Sequence, residues 1–218
     1  MADLKITALT AYTAPIDTDV IPIVDITTTT TKKVKVSDLL GSVVNNASQA
    51  SQSQIVVSAT NYYITRSNLT MPTAFKVPMA IGTRFIWRVG MTKTNAGTGT
   101  FRIIIYRGVN GTTADTADVT QTIGTQTGVV DNMMVDVQVV VTATGASGSY
   151  YWSICPANKA ITATGFGVAT GTGAFFSGTV SAVAMNTASL QFGLGFVANT
   201  GTPTIVIPYV NALAFNVR

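Results

Sequence analysis

Short runs of β-branched and aromatic residues, separated by turn sequences, recur at intervals of roughly 8–15 residues from Ile55 to the carboxyl end. Threonine, valine and isoleucine favour strands, whereas the chain has no glutamate, a residue that favours helices. The turns are glycine and asparagine sequences: Asn95–Gly99, Asn110–Gly111, Thr144–Gly148 and Asn199–Gly201. This pattern predicts an all-β fold of antiparallel strands.

The clearest strand signal is the alternation of Phe85, Trp87 and Val89 with Arg84, Ile86 and Arg88. A period of two predicts one face on a core and the other facing outward. The predicted strands are Asn61–Thr65, Arg84–Met91, Thr100–Arg107, Met133–Thr142, Tyr150–Ile154, Ile161–Val168, Thr179–Met185, Ser189–Val197 and Thr204–Phe215. Eight or nine such strands favour an antiparallel, jelly-roll-like β-sandwich, with an immunoglobulin-like topology as the alternative.

Charge is scarce and unevenly distributed. Charged residues make up 10% of the chain, against about 25% in ordinary soluble domains. After Asp136 the only charged side chains are Lys159 and Arg218. Either hydroxyl groups keep this half soluble, or it is buried against copies of itself, and we favour the second explanation.

Several functions are unsupported by the sequence. The only basic cluster is Lys32, Lys33 and Lys35, too sparse for a nucleic-acid-binding face. No apolar run is long enough to span a membrane, and the amino terminus lacks the pattern of a signal peptide. We therefore expect neither nucleic acid nor membrane as a partner.

The residues needed for catalysis are largely missing. The chain has no histidine to act as a base and a single cysteine, Cys155, expected to be a small buried residue. The possible carboxylate pairs are Asp115 with Asp118 and Asp131 with Asp136. Turn hydrogen bonding is favoured for the first pair, so we expect no enzyme, no catalytic residue, no metal site and no cofactor.

Outward-facing rings offer a different kind of site. The aromatic sequences Tyr62–Tyr63, Tyr150–Trp152 and Phe175–Phe176 place rings on both faces if they lie on strands. An outward tyrosine could stack on a sugar, although packing in a core or between subunits is favoured.

The amino-terminal part differs from the rest. Residues 1–36 read as an extended arm, because Pro15 and Pro22 oppose a helix, and the apolar patch Val20–Val24 has no obvious local partner. Ser37 and Asp38 predict the start of a short helix. The predicted organisation is an arm with a short helix over residues 1–45, a polar linker over 46–56 and the sandwich over 57–218.

The first 40 residues resemble the opening segment of tailed-bacteriophage virion proteins of the head-fibre, decoration and short-tail-fibre types. The resemblance rests on Met1–Ile6, Ala8–Ala11, the acidic turn Pro15–Asp19, Val20–Asp25 and Thr31–Leu40. It covers under a fifth of the chain. It implies a segment that attaches the protein to the particle while the remainder faces outward, and proteins of this kind are usually trimers.

The resemblance therefore implies a structural component of a phage virion, a short homotrimeric fibre or decoration protein made in the host cytoplasm. Its arm would dock on a capsid or tail protein through residues 1–40. The expected docking residues are Leu4, Ile6, Leu9, Val20, Ile21, Ile23, Val24, Lys32, Lys33 and Lys35. The alternative is a receptor-binding tail-fibre or tip protein that recognises a host surface glycan or protein.

Overall fold

The computed structural model describes residues 20–25, 30–35, 43–48, 52–55, 59–70, 79–93, 98–158, 165–167, 174–187, 189–199 and 203–215. The chain divides into two compact units, Met1–Ser42 and Val43–Arg218.

The described part of the first unit is a two-stranded antiparallel sheet. Strand β1 spans Val20–Asp25 and strand β2 spans Thr30–Lys35. Val20 pairs with Lys35 at the open end of this hairpin. A two-stranded sheet is marginally stable at best in water, so this unit needs further contacts to be well ordered.

The described part of the second unit consists of strands and their connections. These are β3 (Val43–Ser48), β4 (Gln52–Ile55), β5 (Tyr62–Tyr63), β6 (Leu69–Thr70), β7 (Arg84–Lys93), β8 (Gly99–Gly108), β9 (Thr116–Gln126), β10 (Asp131–Ala143), β11 (Gly148–Asn158), β12 (Phe176–Val183), β13 (Gln191–Ala198) and β14 (Thr204–Phe215). The described residues contain no helix, which confirms the predicted all-β class.

Two antiparallel sheets make up this unit. The large sheet has the order β12-β11-β10-β7-β14-β3, with β4 also paired to β14. The small sheet has the order β5-β13-β8-β9, with β6 also paired to β13. Because large apolar side chains alternate along the strands of both sheets, the two inner faces bury them against each other. The predicted sandwich architecture is thus confirmed.

Aromatic side chains join the two sheets. Phe192 of β13 lies 4.8 Å, centroid to centroid, from Phe85 of β7 and 5.1 Å from Tyr150 of β11. The indole of Trp87 donates a 2.6 Å hydrogen bond to the carbonyl oxygen of Ser67. The predicted alternation along β7 is confirmed, because Phe85, Trp87 and Val89 are all buried.

The polar stretch predicted as a linker belongs to the large sheet. Strand β3 pairs with residues 210–215 of β14, and β4 pairs with residues 204–207. Asparagine, serine and glutamine have low strand propensity, but an unpaired neighbouring strand can override local preference. The predicted linker over residues 46–56 is therefore wrong, while the predicted helix at Ser37 lies outside the described residues.

Two further strand predictions need correction. No strand was predicted between Arg107 and Met133, and residues 115–118 were expected to form a polar turn, yet strand β9 spans Thr116–Gln126 and pairs with β8. The predicted strand over 161–168 includes Gly165–Gly167, which form a turn. There a Cβ on Gly167 would lie 1.9 Å from the Thr125 carbonyl oxygen, and its φ is +73°. Glycine is required at this close approach.

The order of the strands resembles a long hairpin folded over on itself. The pairs β7–β14, β8–β13 and β10–β11 are nested in this way. Strands β10, β11 and β12, however, follow one another as a meander in the large sheet. The jelly-roll topology therefore remains a prediction.

Candidate functional site

Seven of the predicted docking residues lie together on the hairpin of the first unit. Val20, Ile21, Ile23 and Val24 are on β1, whereas Lys32, Lys33 and Lys35 are on β2. The register sets Lys35 opposite Val20, Lys33 opposite Pro22 and Lys32 opposite Ile23. The apolar patch and the basic cluster, separate in sequence, thus form one small sheet. The remaining three, Leu4, Ile6 and Leu9, lie outside the described residues.

The apolar patch of β1 is paired along its main chain. Val20–Val24 was expected to lack a local partner, but its main chain pairs with Thr31–Lys35. The threonine run that opposes a helix also supplies β-branched residues to β2. A short connection between two strand-forming segments was the available signal for this hairpin.

Asp115, a predicted catalytic candidate, organises a turn. Its Oδ1 accepts hydrogen bonds from the amides of Val109 and Asn110 at 3.0 and 2.9 Å, and its Oδ2 accepts one from Gly111 at 2.8 Å. Burial raises the pKa of Asp115, but these bonds outweigh it and hold the pKa below its usual value. The prediction of turn hydrogen bonding is confirmed for this carboxylate.

Asp118 connects the two sheets instead. Its Oδ2 lies 2.6 Å from Arg107 Nε and accepts a 2.9 Å hydrogen bond from the Tyr150 hydroxyl, which belongs to the large sheet. The side chains of Arg107 and Asp118 are 14% and 5% exposed. Burial, followed by the charge of Asp118, raises the pKa of Tyr150, so this hydroxyl remains a hydrogen-bond donor. The network holds the sheets together.

The second predicted carboxylate pair does not form. Asp131 is buried and accepts hydrogen bonds from the amides of Asn132 and Phe166, whereas Asp136 forms a bidentate ion pair with Arg88 on the outer face. Residues five apart on a strand point to opposite faces. These two carboxylates therefore cannot act on one substrate.

A buried lysine lies beside Asp131 in the register and was not identified from the sequence. The Nζ of Lys93 donates to the carbonyl oxygens of Thr127 at 2.7 Å and Val129 at 3.3 Å. Burial lowers the pKa of Lys93, and the charge of Asp131 opposes this shift. Because its acceptors are main-chain carbonyls, no residue pattern could have revealed the site.

The tyrosine pairs divide between the faces as their strand positions predict. Tyr150 is fully buried, whereas its neighbour Tyr151 is 36% exposed on the outer face of the large sheet. Tyr62 stacks on Phe196 in the main core. Tyr63 packs against Tyr106 on the outside of the small sheet, and burial raises the pKa of Tyr63 to about 12. Of these rings, Tyr151 is the one best placed to meet a partner.

The outer face of the large sheet is half-buried and nearly neutral. One cross-strand row runs through Phe215, Arg84, Val140 and Tyr151. Arg88 and Asp136 form an ion pair on this face, so their charges compensate each other. We call this surface the large outer face and define it by the residues Arg84, Ile86, Arg88, Met134, Asp136, Gln138, Val140, Tyr151, Ser153, Cys155, Tyr209, Asn211, Leu213 and Phe215.

One shallow depression of about 420 Å³ lies on the large outer face, and a second of about 420 Å³ lies at its edge, beside Met134 and Tyr209. Polar groups of Arg88, Gln138 and Ser153 line one of them, together with the thiol of Cys155. Cys155 is half-buried here rather than a core residue, so its predicted burial is wrong. Tyr209 lines the other depression and donates a 2.9 Å hydrogen bond to the Met134 sulfur.

Neither a cluster of metal-ligating side chains nor a membrane-spanning helix occurs in the part of the chain that the structure describes. Those residues contain no group of three or more acidic, cysteine or histidine side chains that could hold a metal ion. They also contain no helix long and apolar enough to cross a bilayer.

Comparisons with known proteins give little further information. No protein-family model and no curated protein matches the chain. Among solved structures, that of the infectious bursal disease virus Gx strain matches at 14% identity and a TM-score of 0.26, over 91% of this chain and 47% of that one. The VP2 subviral particle of infectious bursal disease virus matches at 11% identity and a TM-score of 0.27, over 91% and 42%. The chain spans less than half of these proteins, and likenesses this low carry no argument about fold or function.

Proposed function

We propose that the chain is a structural component of a tailed-phage virion, a short fibre or decoration protein that docks through its amino-terminal unit. The observation that carries the proposal is that seven predicted docking residues fall on one small sheet in a unit separate from the sandwich. Such a sheet is marginal in isolation, so a partner surface would stabilise it. The amino-terminal resemblance gives that surface its identity, a capsid or tail protein.

The sandwich supports this role through the way its charges are used. Asp115 is held by main-chain amides, and Asp118 is held by Arg107 and Tyr150. Asp131 likewise accepts from main-chain amides. Each of these side chains fixes the fold, as expected of a durable outer domain.

Association into a homotrimer is the second part of the proposal, and the large outer face is its contact surface. Its four central strands are at least ten residues long. At roughly 4.8 Å between strands and 3.3 Å per residue they cover about 600 Å². Each partner in a stable interface contributes about 800 Å², so these strands would supply most of the area needed. The neutral, half-apolar character of this face suits contact with another copy better than contact with a charged partner.

The mass of the full chain in solution tests association. We expect three times the 22.7 kDa of one chain at micromolar concentration. Tyr151→Glu, on the large outer face, should lower the mass, whereas Thr122→Glu, exposed on β9, should not. A monomeric mass for the folded, unsubstituted protein at micromolar concentration would contradict the trimer.

Labelling of intact particles tests location. An antibody raised against the sandwich should bind purified virions at regular positions on the capsid or tail. Absence of the protein from purified virions would overturn the proposal.

A receptor-binding role is the second candidate, favoured by one observation. The depression beside Arg88, Gln138 and Ser153 carries several hydrogen-bonding groups, and the ring of Tyr151 is exposed on the same face. Such groups suit a sugar. Selective binding to a glycan array, lost in Gln138→Ala, would favour this candidate over a purely structural role.

A further inference from the structure

Among the described residues, β1 and β2 pair only with each other, which leaves each strand with one outer edge, and Pro22 interrupts the edge of β1. Residues opposite each other in an antiparallel pair alternate between positions that exchange two hydrogen bonds and positions that exchange none. Pro22 faces Lys33 and has no N–H to give, which places this pair at a position without hydrogen bonds. The main-chain groups of Pro22 and Lys33 therefore point away from the partner strand.

The same alternation fixes the other outward positions. Val20 with Lys35 and Val24 with Thr31 are two residues away on either side, so their main-chain groups also point outward. The outer edge of β1 thus lacks its central N–H. The outer edge of β2 keeps all three donors, those of Thr31, Lys33 and Lys35.

From this asymmetry we infer that β2 adds itself, as a further strand, to a free sheet edge of a neighbouring virion protein. This mode of recognition supplies main-chain hydrogen bonds to both partners and stabilises a hairpin that is marginal by itself. In the described residues, β2 has no strand partner other than β1. The inference rests on the proposed function and specifies how docking occurs.

The charge of β2 indicates the chemistry of the partner strand. Three of its six residues are lysines, namely Lys32, Lys33 and Lys35. Pairing β2 with β2 of a second copy would bring six lysines together, and like charges across a strand pair are unfavourable. The occupant is therefore an acidic strand at the edge of another protein rather than a second copy of this chain.

A pair of proline substitutions in the full chain tests the inference. Thr31→Pro removes an outward donor from the intact edge of β2, whereas Val24→Pro removes one from the edge of β1 that Pro22 already interrupts. These residues face each other, so both changes perturb the hairpin at the same level. Copies per purified virion, measured by quantitative mass spectrometry, should fall at least about tenfold for Thr31→Pro and stay within about twofold for Val24→Pro.

A deletion of residues 1–36 separates failure of the inference from failure of the proposed function. Normal incorporation of the deletion variant overturns both. Loss of the deletion variant together with normal incorporation of Thr31→Pro, or equal loss of both proline variants, overturns the edge-specific docking alone. A smaller solution mass for Thr31→Pro would identify a second copy as the occupant and overturn the acidic partner. We expect rising salt to release the unsubstituted protein from virions, because salt screens the attraction between the lysines of β2 and an acidic partner.

Discussion

At the scale of single residues, the aspartates of this chain are distinguished by what they contact. Asp118 is almost fully buried between the sheets, whereas Asp136 forms a similar bidentate contact with Arg88 at the surface. Identical chemistry in two environments provides a matched comparison. A buried pair broken on one side leaves a charge without compensation, while an exposed pair is replaced by water.

Asp118→Asn should therefore lower the free energy of unfolding by about 3 kcal/mol. The change leaves Arg107 without its counter-charge and removes the anionic acceptor of the Tyr150 hydroxyl. Urea denaturation at neutral pH measures the loss, with Asp136→Asn as the control. Equal losses for the two variants would contradict the bridging role of Asp118.

Asp115 predicts a dependence of stability on pH. Its pKa is lower in the folded chain than in the unfolded chain, so it stabilises the fold above its unfolded pKa of about 4, and this contribution is lost as pH falls through the lower folded value. Asp115→Asn should cost about 2 kcal/mol at pH 7. The difference from the unsubstituted protein should shrink in denaturation measured near pH 3, and a difference that stays constant would exclude the ionised form as its source.

These residue roles were only partly predictable. The turn around Asp115 follows from its asparagine and glycine neighbours, which are common turn residues. The partners of Asp118 and Lys93 lie on distant strands or are main-chain atoms, so no local pattern indicates them. Only the packing of the small sheet, which contains β9, against β11 of the large sheet brings Asp118 to Tyr150.

At the scale of elements, glycines in β13 allow β5 to lie close beside it. A Cβ on Gly195 would lie 2.3 Å from the carbonyl oxygen of Tyr62, whereas one on Gly193 would lie 1.7 Å from the hydroxyl of Tyr63. The first obstacle is main chain within a paired strand. The second is the end of a side chain that can move.

Gly195→Ala should consequently destabilise the sandwich by about 3 kcal/mol and Gly193→Ala by about 1 kcal/mol. Thermal unfolding measures both. Adding Tyr63→Phe removes the nearest obstructing atom but keeps the ring carbon Cζ, so it should restore part of the loss in Gly193→Ala while leaving the loss in Gly195→Ala unchanged. The reverse order of the two losses would show that β5 adjusts more easily than the Tyr63 ring.

Sequence patterns predicted some strands and missed others for physical reasons. The alternation in β7 follows directly from Phe85, Trp87 and Val89, which bury one face. Strands β3 and β4 are mostly polar, and pairing with the distant carboxyl-terminal strand β14 makes them strands. Prolines and β-branched residues both indicate extended backbone in the amino-terminal arm, but neither indicates which extended segments pair, so the β1–β2 hairpin was not predicted.

At the scale of the whole molecule, the boundary between the units falls before β3. A fragment of residues 43–218 keeps both strands that flank β14 and should unfold cooperatively like the sandwich in the full chain. A fragment of residues 57–218, the domain predicted from sequence, loses β3 and β4 and exposes one edge of β14. It should unfold at a lower temperature and aggregate more readily. Equal melting temperatures would show that β3 and β4 add nothing to the sheet.

The two units have different roles. The sandwich uses its polar groups to maintain its own structure, and the amino-terminal unit carries the proposed attachment to the particle. A variant lacking residues 1–36 should therefore remain folded, with the melting temperature of the full chain, because the sandwich begins at β3.

The most direct measurement is the number of copies of this deletion variant in purified virions, produced beside the full-length protein as the reference. We expect a soluble, folded protein that is absent from the particles. Incorporation at the level of the full chain would contradict it.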